Sequence, residues 1–120
     1  MNHSGIKEGI WEFRRRLKDG NFISTIWIIE EILNSKDLAD EGKAMKHCVY
    51  SYDERIASGK VSIWSLQKDS ERKLTVEVEN SSRTIVQARE KYNRLPDKKE
   101  MKILNKWASK KKLIVKIPTW

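Results

Sequence analysis

The sequence predicts an α+β domain: N-terminal helices packed on a small antiparallel sheet of three to four strands, with a lysine-rich helix at the C-terminal end. Three observations lead there. The length of 120 residues suits one hydrophobic core and is short for two, so residues 1–120 are expected to form a single domain. The apolar spacing changes from helical to alternating at Gly59. From Arg83 onward twelve Lys and Arg face three Asp and Glu, so the net charge of +8 is concentrated in the last third.

Taken in order, Ile10, Phe13 and Leu17 fall at helical spacing, which predicts a helix over Ile6 to Lys18 ended by Asp19-Gly20. A second helix is expected from Ser24 to Asn34, with Ile26, Trp27, Ile29, Ile32 and Leu33 apolar. A third, from about Ser35 or Asp37 to Ser58, places Met45, Cys48, Val49, Tyr52 and Ile56 on one face and His47, Ser51 and Glu54 on the next. Strands follow at Val61 to Gln67, Lys73 to Glu79 and Thr84 to Arg89, joined by a polar loop at Lys68 to Arg72 and a tight turn at Asn80-Ser81-Ser82. Leu74, Val76 and Val78 then point one way and Thr75, Glu77 and Glu79 the other. Simple alternation puts Ile85, Gln87 and Arg89 on one face of the third strand. Pro96 and Asp97 open a last helix to about Lys110, and Leu113 to Ile117 can add a strand.

The single Cys48 allows no intramolecular disulfide, and no apolar run reaches signal-peptide or membrane-spanning length. A cytoplasmic protein with no membrane partner is therefore expected. Gly-rich phosphate loops, HExxH, CxxC pairs and nucleophile elbows are all missing from the sequence. With only His3 and His47 available beside one Cys, no metal and no other cofactor are expected.

The runs SKDLADEGKAMKHCVYSY, GKVSIWSL, RKLTVEVE, TIVQAR, KYNRLP and ILNKWA, in that order, resemble the PcfJ-like family, proteins found on conjugative plasmids and other mobile elements. The resemblance covers about residues 28–113, preceded by an N-terminal extension over 1–27 that reads as helical. It implies a mobile-element context and brings no established catalytic mechanism. The motif positions carried over are Glu41, Gly42, Met45, His47, Cys48, Tyr52, Gly59, Ile63, Ser65, Thr75, Gln87, Arg89, Asn93 and Trp107. The family typically reads Gln-x-Arg-Gly, and here Arg89 is followed by Glu90. A glycine would suit a positive φ or a close ligand; a glutamate there is expected to place negative charge beside Arg89 and weaken a phosphate site.

Three functions are compatible with these residues. In the first, the chain binds RNA or DNA: Lys91, Arg94, Lys98, Lys102, Lys106, Lys110, Lys111 and Lys112 contact phosphates, and Gln87, Arg89 and Asn93 receive a specific group. The second is a metal-independent endoribonuclease with His47 as general acid or base, Arg89 stabilising the phosphoryl transition state and Thr75, Gln87 and Asn93 positioning the substrate. A structural His47, bonded between helix and sheet, is the alternative to that role. The third is a module that binds or inhibits a protein partner. Trp27, Trp64 and Trp107 lie on apolar patterns and read as core; Trp11, Tyr50, Tyr92 and Trp120 are left as surface aromatics.

Overall fold

Two strands stand where the first two helices are expected. In the computed structural model, which describes residues 4–46 and 53–118, β1 (Gly9–Arg16) and β2 (Phe22–Glu31) form an antiparallel hairpin. They open a six-stranded sheet curled into a half-barrel, in the order β1-β2-β3-β4-β5-β6, with β3 at Val61–Lys68, β4 at Glu71–Glu79, β5 at Thr84–Arg89 and β6 at Ile114–Val115. The first five strands are an antiparallel meander, and β6 adds to β5 in parallel. The expected arrangement of N-terminal helices on three to four strands is therefore corrected.

The reason is physical. β1 is an edge strand exposed over most of its length, so it buries no face whose period could announce a strand. The helical spacing of Ile10, Phe13 and Leu17 is incidental, and Ile10 and Phe13 remain exposed. In β2 the β-branched residues Ile23, Thr25, Ile26, Ile28 and Ile29 favour an extended chain. Between the strands, the Gly20 amide donates to the Leu17 carbonyl at 3.0 Å and the Leu17 amide to the Asn21 carbonyl at 2.7 Å, a three-residue hairpin loop. Gly20, at φ +90, supplies the left-handed position this loop requires.

The long third helix is replaced by α1 (Ser35–Met45) and α2 (Asp53–Ala57). Asn34 caps α1 by accepting the Asp37 amide, and Lys46 ends it in the left-handed conformation. The three central strands lie where the alternation places them, and Asp69 and Ser70, both at positive φ, make the tight turn between β3 and β4. After a 3-10 turn at Lys91–Asn93 comes α3 (Lys98–Lys111), entered through Asp97 in a reciprocal capping box with Glu100.

The sheet carries helices on both faces. On one, Trp27, Ile29, Trp64, Leu66, Leu74, Val76, Val78, Ile85 and Ala88 pack with Ile103, Leu104 and Trp107 of α3 in the main core. Trp64 and Trp107 meet with centroids 4.7 Å apart, and the Trp107 Nε1–H donates to the Lys7 carbonyl at 3.0 Å. Burying each indole removes about 150–250 Å² from water, roughly 4 to 6 kcal/mol apiece at about 25 cal/mol per Å². On the other face, Ile32, Leu38, Ile56, Val61 and Ile63 form a smaller cluster under α1 and α2.

Candidate functional site

Glu41, Ser65, Thr75, Gln87 and Arg89 of the motif come together on the α1 face, whereas Trp107 lies in the α3 core. Because β2 to β5 are in antiparallel register, Glu30 pairs with Ser65, Ser65 with Thr75, and Thr75 with Arg89, giving a transverse polar row across four strands. Ser65, Thr75 and Arg89 are all buried. Glu41 of α1, fully buried, closes over the row: its Oε1 accepts from Arg72 Nη1 at 2.6 Å and its Oε2 from the Thr75 hydroxyl at 2.5 Å. One step along, Glu77 pairs with Gln87 and takes an ion pair from Arg55 at 2.6 Å. Burial pushes the Glu77 carboxyl above its ordinary value, and Arg55 pulls it back. Chemically, these contacts tie α1 and α2 to the sheet with charge-assisted bonds.

Thr75, Gln87 and Arg89 thus share a face. Ile85 does not join them: a bulge at Val86, where Val78 pairs with Ile85 and Glu77 with Gln87, turns Ile85 into the α3 core. His47 and Cys48 lie outside the described residues, as do Tyr50 and Tyr52. Lys91 and Asn93 sit exposed in the 3-10 turn, with Lys91 Nζ 5.8 Å and the Arg94 guanidinium 5.5 Å from the exposed Tyr92 ring.

Glu90 does not behave as its position in the motif leads one to expect. Its φ of −75 is accessible to any residue, so the backbone imposes no need for glycine. Its carboxylate lies within 4.8 Å of those of Asp97 and Glu100 at the start of α3. Glu100 is buried, and burial first, then a hydrogen bond with Glu90, pushes its pKa up to about 8. Glu100 still accepts the Asp97 amide at 2.8 Å, so a proton shared with Glu90 and a helix cap meet on one side chain.

The lysines of α3 lie on the side of the sheet opposite the motif row, whereas Lys91 borders a hollow beside α1 with Lys43 and Lys46. Lys98, Lys102, Lys106 and Lys110 recur every fourth residue and border a hollow that includes Trp11, Met101, Asn105 and Ser109. Lys102 also borders a second hollow, with Lys99 and Ile103 on α3, Phe13, Arg14, Arg15, Ile23 and Thr25 on the hairpin, and Lys68 on β3. Lys111 is half-buried, and Lys112 caps the helix in the left-handed conformation. The Arg83 guanidinium holds the carbonyls of both.

The hairpin is the structural element that sequence reading overlooks. β3 covers β2 only from Trp27 onward, so the pairs from Thr25↔Phe13 to Phe22↔Arg16 stand beyond the rest of the sheet as a two-stranded arm. Phe13, Phe22 and Ile23 are exposed on it, Lys106 Nζ lies 5.8 Å from the Phe13 ring, and the Arg14 guanidinium lies 5.1 Å from Phe22. The available signal was two β-rich runs, GIWEFRRR and FISTIWII, separated by a turn containing Asp19-Gly20-Asn21.

A family model described as PcfJ-like protein matches residues 11–104, from β1 into α3. The chain belongs to the PcfJ-like family. No curated protein and no solved structure matches it. In this PcfJ-like chain the matched span takes in the arm, the motif row and the first two lysines of the stripe, Lys98 and Lys102. No helix among the described residues is long and apolar enough to cross a membrane.

Proposed function

We propose that this PcfJ-like chain binds nucleic acid through the surface shared by α3 and the β1–β2 arm, in the mobile-element setting its family resemblance implies. The observation that carries this is the convergence of basic side chains from three separate segments: Arg15, Lys68, and the stripe from Lys98 to Lys110. Four lysines at i, i+4 spacing present a line of positive charge along about 18 Å of helix axis. An evenly solvated helix would scatter its charge. Here Ile103, Leu104 and Trp107 are committed to the core, which turns the stripe toward the arm. Such a field attracts and retains phosphates with little regard for sequence.

Fluorescence anisotropy with labelled RNA and DNA oligonucleotides between 50 and 200 mM salt, a range of about the span over which phosphate contacts are resolved, tests the proposal. Log K is expected to fall linearly with log salt. Reversing Lys98, Lys102, Lys106 and Lys110 to Glu should abolish tight binding and reduce the slope by about 3 to 4. Absence of salt-dependent binding at low ionic strength overturns the proposal.

A further inference from the structure

We infer that the groove between α3 and the β1–β2 arm is built for a single strand, its bases stacking on Phe13 while its phosphates follow the flanking cations. This rests on the nucleic-acid reading above and narrows it to one substrate class. The argument begins with parity. Trp11 pairs with Trp27, Phe13 with Thr25 and Arg15 with Ile23, so Phe13, Ile23 and Thr25 share the side of the arm that faces α3. They make an apolar floor, with Lys102 and Lys106 on one wall and Arg15 on the other.

A duplex presents phosphates outward and keeps its bases stacked inside, so an aromatic floor between cationic walls is of no use to it. A single strand offers both surfaces at once, and stacking on an aromatic ring serves any base. Phe13 is 38 % exposed, and Lys106 Nζ lies 5.8 Å from its ring centroid. The cation over it is exchangeable: an exposed contact of this kind contributes little, and a base that displaced Lys106 from the ring would free the ammonium for a neighbouring phosphate. Phe13 and Ile23, exposed side by side between cations, give the groove an apolar contact that a phosphate-only surface does not use.

The experiment compares labelled 12-nucleotide single-stranded DNA, single-stranded RNA and duplex DNA of the same length, with the full chain at low salt. Wild-type protein is expected to bind one or both single strands at least about ten-fold more tightly than duplex. Phe13→Ala and Phe13→Leu should each weaken single-strand binding by about five- to a hundred-fold, Phe13→Tyr should retain it, and duplex binding should not change. Circular dichroism establishes that each variant is folded. Equal or tighter duplex binding, or single-strand affinity indifferent to Phe13, overturns this inference and leaves the broader proposal standing. Failure of all three probes to bind removes both. The two single-stranded arms decide between DNA and RNA.

Discussion

Replacing Glu100 with Gln should make the protein more stable at neutral pH and remove a pH dependence the wild type carries. Glu100 is buried with its pKa at about 8, against 4.5 in the unfolded chain, so the folded state holds a proton that the unfolded state releases. The sign follows. The contribution of the neutral carboxyl is complete below about pH 4.5, declines at about 1.4 kcal/mol per pH unit above it, and is lost as pH rises through 8. At pH 7, two and a half units above the unfolded value, the loss is about 3 kcal/mol, a shift of roughly 10 °C in melting temperature for a domain of this size. Glutamine reproduces the protonated form: its oxygen can accept the Asp97 amide as Glu100 does at 2.8 Å, and its amide can donate to Glu90. Urea melts followed by tryptophan fluorescence at pH 5, 6, 7 and 8 should show the variant close to wild type at pH 5 and increasingly more stable above it. Glu90→Gly, which restores the family's usual residue, should move the wild-type transition to lower pH by removing the neighbouring carboxylate. A stability difference independent of pH, or a Gln variant less stable than wild type at pH 8, would refute the shared-proton account.

Glu41→Ala removes the acceptor for Arg72 and Thr75 and should destabilise the fold by about 3 kcal/mol, as loss of one partner from a buried charged pair does. Glu41→Gln should cost less, since it keeps an acceptor, and denaturant melts distinguish the two. If function instead resides in the row of Ser65, Thr75 and Arg89, the protein should cleave RNA in excess EDTA, and His47→Ala should abolish cleavage without changing the melt; intact RNA under saturating protein would assign that row to structure.

The division between what was legible and what was not follows the range of the interactions involved. Strands β3 to β5 were legible because each alternates between two buried faces, and α3 because Pro96, Asp97 and Glu100 encode its start within five residues. The face shared by Thr75, Gln87 and Arg89 was partly legible: alternation places Gln87 with Arg89, but the bulge that turns Ile85 away depends on how β4 meets β5. β1 and β2 were misread as helices because β1 and the first half of β2 are exposed and show no hydrophobic period, while in the second half of β2 the alternation of buried Trp27, Ile29 and Glu31 is obscured by the apolar Ile26 and Ile28 between and beside them.

By itself, the amino-acid sequence determined the central meander, the capped basic helix, the family and the identity of the motif residues. These rest on local periodicity, capping chemistry and residue types. Tertiary structure alone decided that the motif row and the lysine stripe lie on opposite faces of the sheet, that Glu90 acts on Glu100, and that Arg15 and Phe13 stand across a groove from Lys102 and Lys106. Each of those outcomes joins residues distant along the chain or depends on which face a strand presents. Strand register and helix docking set them, and neither is written in any short stretch of sequence.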